Sequence, residues 1–177
     1  MSILRKPANK IEKLLKKLAE QILTDLGKNN SSIALIGIHR RGVLLANRLQ
    51  TMLLKHIKNI PLGSLDITLY RDDLNTVGPA PIIKGTNIKF NLTGKYVILV
   101  DDVLFTGRTI RAALDEIMDF GRPKSVKLGV LVDRGHRELP IQADYAGQVI
   151  KTTLSDIIKV QVAELDGKDD IVHERKK

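Results

Sequence analysis

The sequence predicts an α/β domain in which a central, mostly parallel sheet is flanked by helices, with a small ribbon at the end of the chain. Three observations predict it. Residues 32–38, 97–100 and 126–132 are near-continuous aliphatic runs, the mark of strands covered on both faces. The first two runs are each followed by a short polar turn and then by apolar residues at helical spacing, the strand, loop, helix rhythm of a parallel sheet. At 177 residues the chain is long enough for one such domain and short for two, so a single domain over 1–177 is expected.

Each element can be justified in order. Ile11, Leu14, Leu15, Leu18, Ile22 and Leu26 recur at helical spacing, while Lys10, Lys13, Lys16, Lys17 and Glu20 fall largely elsewhere, giving an amphipathic helix closed by Gly27 and Asn29-Asn30. The 32–38 strand delivers His39-Arg40-Arg41-Gly42 to a helix carrying Val43, Leu44, Ala46, Leu49 and Leu53. Residues 65–70 alternate and are rich in strand formers. Arg71-Asp72-Asp73 then opens a stretch with Asn75, Gly78, Pro79, Pro81, Gly85 and Asn87, expected to form a long mobile loop or short ribbon over about 71–90, suited to excluding water from a reactive centre. The aliphatic run at 97–100 ends in Asp101 and Asp102, and a helix follows Gly107 with Ile110, Ala113, Leu114, Ile117 and Met118 on one face. Gly121-Arg122-Pro123 closes that unit, the 126–132 strand delivers Asp133-Arg134-Gly135-His136-Arg137, and alternation at 158–162 and 171–173 around Asp166-Gly167 predicts a terminal ribbon.

Composition excludes several functions. No cysteine means no disulfide, thiolate metal site or Cys nucleophile. No stretch approaches a membrane span, and the charged, periodic N-terminus is unlike a secretory signal, so the cytoplasm is the expected compartment. A formal charge of +9 favours polyanionic partners, namely nucleotides, pyrophosphate compounds or RNA. Aromatics are only 3% of residues, which argues against RNA modules that stack bases on aromatic platforms.

The chemistry concentrates in 97–109. A buried strand ending in two carboxylates, then Phe105, Thr106, Gly107, Arg108 and Thr109 at a helix start, is the layout of a sugar-phosphate site: first-turn amides and the helix dipole attract phosphate. Two further anions beside a phosphate need compensation, which ribose hydroxyls or Mg²⁺ would supply. The Arg40-Arg41 turn is a second anion site, suited to a diphosphate. A phospho-acceptor of the receiver type also places carboxylates at strand ends, but it leaves the hydroxyl-rich turn and the paired arginines without a role.

Residues 97–109 resemble the phosphoribosyl pyrophosphate (PRPP) motif of type I phosphoribosyltransferases. Residues 37–42, 66–74 and 132–140 narrow the resemblance to the PyrR family, pyrimidine operon attenuation regulators that are also uracil phosphoribosyltransferases. It implies the type I phosphoribosyltransferase fold with a small hood over about 132–177, and conversion of uracil and PRPP to UMP and pyrophosphate with Mg²⁺ carried by PRPP. In that reading Asp101 and Asp102 hold the ribose and, through it, the metal; Thr106, Gly107, Arg108 and Thr109 hold the 5-phosphate. His39, Arg40 and Arg41 take pyrophosphate, Arg71 approaches the leaving group, and Val132, Asp133, Arg134 and Gly135 form the uracil hood. The family also implies a homodimer or higher oligomer, response to UMP or UTP, and binding of pyrimidine operon leader RNA, with His136 and Arg137 on the RNA face and Lys13, Lys16 and Lys17 able to add to it. Glu20, Gln142 and Gln148 depart from that basic surface, each removing a phosphate contact. The alternative function is a nucleotide-sensing RNA regulator with little enzyme activity.

Overall fold

The computed structural model describes residues 3–4, 9–27, 32–67 and 85–175. In chain order the elements are β1 (Ile3–Leu4), α1 (Asn9–Leu26), β2 (Ile33–Ile38), α2 (Arg41–Leu53), β3 (Leu62–Leu65), β4 (Tyr96–Leu104), α3 (Arg108–Ile117), β5 (Ser125–Asp133), β6 (Tyr145–Val149), β7 (Ile157–Gln161), α4 (Ala163–Asp166) and β8 (Asp170–Glu174). Five strands form one parallel sheet in the order β3-β2-β4-β5-β6, and β1-β8-β7 form a small antiparallel sheet.

Strand alternation builds the two faces of the core, because successive side chains leave a strand on opposite sides. Leu35, Ile98 and Val100 pack with α1 and α2 through Leu15, Leu18, Leu45 and Leu49. Ile36, Ile38, Val97 and Leu99 pack with α3 through Ile110, Ala113 and Ile117. A sheet covered on both faces explains why its strands read as unbroken aliphatic runs.

The strand order sets the functional end of the molecule. From β2 the chain moves outward to β3, then returns across β2 to β4 and continues the other way to β5 and β6. The connections leaving β2 and β4 therefore diverge, and a crevice opens between the carboxyl ends of these strands, where open α/β sheets bind ligands.

Several expectations need correction. Of the strand expected at 65–70, Leu65 closes β3, which begins at Leu62 and pairs with β2 up to Ile38; Asp66 and Ile67 lie outside any strand, and 68–70 lie outside the described residues. The chain then leaves the sheet at Asp66, whose N–H donates to Thr86 Oγ1 (3.1 Å) and whose carboxylate accepts the Gly85 N–H (3.2 Å). Met118, expected on the buried face of α3, is exposed because a tighter 3-10 turn over Met118–Phe120 breaks the helical phase. Glu116 is buried in its place and accepts a hydrogen bond from the Thr86 hydroxyl. β6 gave no aliphatic run: it is an edge strand with polar positions, held close to α1, where a Cβ on Gly147 would stand 3.0 Å from Leu14 Cβ and 2.7 Å from the Leu131 carbonyl oxygen. Most of the loop expected at 71–90, including Arg71, lies outside the described residues.

The terminal ribbon is present as β7 and β8, joined by β1 from the other end of the chain. Asp156 ties it to the preceding turn, accepting from the Thr153 N–H (3.1 Å), the Thr153 hydroxyl (2.9 Å) and His173 Nε2 (2.9 Å). These bonds, the one from His173 foremost, hold its carboxyl down to about 2, against an ordinary 3.8. A depressed acid adds stability that is complete above its unfolded value and is lost as pH falls through the folded one. Thermal melts at pH 6 and pH 2.5 should therefore show a smaller loss for Asp156→Asn than for the parent; equal losses would refute the assignment.

Candidate active site

β4 pairs with β2 only as far as Gly37 opposite Val100, yet continues beside β5 to Leu104 opposite Asp133. Asp101 and Asp102 thus belong to the strand itself, not to a turn after it, because β5 goes on supplying ladder partners. They stand where the β2 side of β4 has become free, at the crevice. Asp101 is buried, and its Oδ1 accepts the Asp102 N–H at 2.9 Å; Asp102 Oδ1 accepts the Val103 N–H at 2.8 Å. Burial pushes the Asp102 carboxyl above the usual carboxylate range, opposed by hydrogen bonding to Asp101 and Val103 and by the Arg41 charge. Among the described residues no three acidic or imidazole groups converge into a metal cage. As a pair of carboxylates, Asp101 and Asp102 offer the oxygen donors that Mg²⁺ takes.

Beyond β4 the chain turns through Phe105, Thr106 and Gly107 into α3. Gly107 adopts φ 93°, in the left-handed region where a side chain is strained, and a Cβ there would lie 3.3 Å from Ile141 Cβ. The Arg111 N–H bonds the Gly107 carbonyl at 2.9 Å, so the helical ladder starts there, leaving the Thr109 and Ile110 amides without an i−4 partner at the positive end of the helix. Thr106 Oγ1 accepts the Arg108 N–H at 3.3 Å, and the Thr106 carbonyl accepts the Glu138 N–H at 2.9 Å, so the β5–β6 connection buttresses the turn. Arg108 Nε donates to Glu138 Oε2 at 2.5 Å in a half-exposed pair.

Across the crevice, His39 and Arg40 leave β2 through a cis peptide, and α2 begins at Arg41. A Cβ on Gly42 would lie 2.5 Å from the Val100 carbonyl oxygen and 3.4 Å from Asp101 Oδ1, so the arginine turn and the acid pair are in backbone contact. Arg40 is exposed; Arg41 is half-buried and ion-paired with Asp166 at 2.9 Å.

The expected hood residues divide. Val132 is a fully buried residue of β5 whose side chain packs in the core, while its backbone pairs with Val103 and Gln148. Arg134 is buried with its guanidinium 3.9 Å from the centroid of the Phe105 ring and Nη2 donating to the Thr153 carbonyl at 2.9 Å, which ties the chain after β5 to the turn before α3. Asp133 Oδ1 accepts the Gly135 N–H at 2.9 Å.

The residues expected on an RNA face differ in their surroundings. Arg137 turns inward: Nε donates to the Ile141 carbonyl (2.9 Å), Nη1 to the Phe105 carbonyl (2.9 Å) and Nη2 to Asp133 Oδ2 (2.5 Å). With a further bond from Nη1 to the Gly135 carbonyl (3.3 Å), four hydrogen bonds tie this guanidinium to Phe105 and the 133–141 connection. His136 Nε2 bonds the Thr152 carbonyl at 2.8 Å, and Lys17 donates to the Gly147 carbonyl at 2.9 Å. Lys13 and Lys16 are exposed, Lys16 beside Glu12 at 2.8 Å. Sequence reading missed Asp156, Asp166 and Thr153, which bear no motif; His173 reaches Asp156, Arg41 reaches Asp166 and Arg134 reaches Thr153 only in the folded chain.

Comparison with known proteins agrees with this geometry. The phosphoribosyl transferase domain profile matches residues 6–167. A curated relative from Thermus thermophilus, Bifunctional protein PyrR, is 50% identical over 163 residues, covering 92% of this chain and 90% of its own length. The chain belongs to the PyrR family. Another PyrR, from Elusimicrobium minutum, is 47% identical over 172 residues, covering 97% of this chain and 96% of the relative. The hypoxanthine phosphoribosyltransferase of Trypanosoma cruzi superposes with a TM-score of 0.72 at 19% identity, covering 100% of this chain and 98% of that one, which establishes the shared fold. PyrR membership accounts for the type I phosphoribosyltransferase architecture, with the acid pair on β4 and the arginine turn after β2 facing one crevice.

Proposed function

We propose that this protein transfers the 5-phosphoribosyl group of PRPP to uracil, forming UMP and pyrophosphate, and that UMP occupancy governs its binding to pyrimidine operon leader RNA. The observation that carries the reading is the meeting, at one topological switch point, of the Asp101-Asp102 pair, the N-terminus of α3 and the Arg40-Arg41 turn. These match the three parts of PRPP: diol, 5-phosphate and diphosphate. PyrR relatives named as bifunctional support the choice of uracil and RNA.

In this mechanism uracil N1 bonds to C1′ as the C1′–O bond to pyrophosphate breaks, and the N1 proton leaves to solvent. Asp101 and Asp102 accept hydrogen bonds from the ribose hydroxyls, and their negative charge favours the positive character that develops on the sugar. The Thr106, Gly107, Arg108 and Thr109 turn holds the 5-phosphate, and His39, Arg40 and Arg41 receive the departing pyrophosphate. Mg²⁺, when bound with PRPP near Asp101 and Asp102, supplies charge neutralisation for that leaving group. Arg71 would add a second cation from the neighbouring segment. Asp133, Arg134 and Gly135, with the Val132 backbone, would cover the base. One phosphoribosyltransferase domain over 1–177, working in the cytoplasm as a homo-oligomer, completes the proposal; among the described residues no helix is long and apolar enough to cross a membrane.

RNA recognition is expected from α1, where Lys13 and Lys16 are exposed, despite the exposed Glu20 on the same helix. Binding of the chain's own pyrimidine leader RNA, measured across a salt series, should tighten at least about tenfold with UMP and weaken steeply with salt. Binding that ignores UMP and RNA sequence would leave a uracil phosphoribosyltransferase alone. Mg²⁺-dependent production of UMP from uracil and PRPP tests the enzyme; its absence would leave the regulator alone.

A further inference from the structure

Two arginines of α2 reach across to the small sheet, and they are used differently. Arg48 is saturated. Nε and Nη2 hold Glu164 at 2.9 and 2.5 Å, while Nη1 and Nη2 hold Asp169 at 2.7 and 2.9 Å, so both edges of the guanidinium are closed by carboxylates. Arg41 is committed on one edge only: Nε donates to Asp166 Oδ2 at 3.3 Å and Nη2 to Asp166 Oδ1 at 2.9 Å. A guanidinium has five N–H donors, so three remain on its outer edge. That edge makes no hydrogen bond among the described residues. Arg41 is also the first residue of α2, where the helix dipole adds positive potential. Asp166 is itself immobilised, since Oδ2 accepts the Val162 N–H at 2.8 Å at the start of α4.

We propose that Asp166 is a positioning residue for the diphosphate end of the site: it grips the inner edge of Arg41 and presents the outer edge, in fork geometry, to a phosphoryl group. This rests on the phosphoribosyl-transfer reading and adds to it a part played by the small sheet. The far end of the chain thereby sets the orientation of a cation that follows β2. Asp166 also carries a negative charge toward an anion site, which opposes binding. The pair is partly exposed, with Arg41 36% and Asp166 18% accessible, so that opposition is screened. A bidentate fork depends strongly on orientation, and orientation is the larger effect.

The test uses the full-length protein and the Mg²⁺ complex of inorganic pyrophosphate, titrated calorimetrically, alongside steady-state kinetics with PRPP and uracil. Asp166→Ala should weaken pyrophosphate binding and raise KM for PRPP by about tenfold, with kcat changed by less than about threefold. Asp166→Asn, which keeps the shape and one acceptor, should show a smaller loss, and Asp166→Glu should recover part of the parent affinity. Glu164→Gln, which loosens the saturated Arg48, should lower the melting temperature and leave pyrophosphate affinity unchanged. Parent-like pyrophosphate binding in Asp166→Ala, or tighter binding in Asp166→Asn, would overturn the positioning role while leaving the transferase reading intact. Failure of the unsubstituted protein to bind pyrophosphate would overturn the site reading itself and the proposal with it.

Discussion

Asp102→Asn should reduce UMP formation by at least about a hundredfold and at the same time raise the melting temperature of the ligand-free protein at neutral pH. The two effects have one cause. Asp102 is forced above the ordinary carboxylate range by burial beside Asp101. Between its unfolded value and this raised one the folded state binds the extra proton, so stability falls as pH rises through that window. At neutral pH the ionised side chain therefore works against folding. The amide removes the charge and the penalty together, but it also replaces one acceptor oxygen by a donor and removes the negative field on which the proposed ribose and metal contacts depend. Melting curves at pH 4 and pH 7.5 separate the effects, since the parent should lose stability over that interval relative to the variant. An amide variant that is inactive and also less stable at neutral pH would show that the pair is structural.

Gly42→Ala is expected to damage fold and site together. The added methyl would stand 2.5 Å from the Val100 carbonyl oxygen and 3.2 Å from Asp101 Cα, both backbone atoms that cannot rotate away. Relief requires α2 to part from β4, at a cost of about 3 kcal/mol, in the range of overpacked core positions. That corresponds to a fall of roughly 9 °C in melting temperature for a chain of this size. It should also raise KM for PRPP at least about tenfold, because the same movement separates Arg41 from the acid pair. Thermal melts and initial rates check both. A parent-like melting temperature would mean that the close approach of α2 to β4 is dispensable.

Much of this was legible in the residues. The aliphatic runs of β2, β4 and β5 announced a sheet covered on both faces, and the threonines and glycine that follow β4 announced a tight turn into a helix, since each residue type serves a local requirement. β6 was not legible, because an edge strand carrying Tyr145, Gly147 and Gln148 lacks the double burial that writes an aliphatic signature. β3 was displaced for a related reason: its register is set by where β2 stops, which its own residues do not encode.

The functional surface shows the same division more sharply. Arg137 and Lys17 read as solvent-facing cations, and a charged side chain looks alike in sequence whether it meets phosphate or a carbonyl inside the fold. Only the tertiary arrangement placed the Arg137 guanidinium among the Ile141 and Phe105 carbonyls and Asp133, and the Lys17 ammonium on Gly147.

By itself, then, the sequence determined the strand, turn and helix units and where charged and hydroxyl side chains fall along them, because backbone conformation and burial periodicity are local and leave a local trace. The tertiary structure alone decided which units share a crevice, which arginines keep a free edge, and that Asp166, 125 positions from Arg41, takes the inner edge of its guanidinium. Those facts depend on strand order and on contacts between distant segments, and such contacts are fixed by the packing of the whole chain.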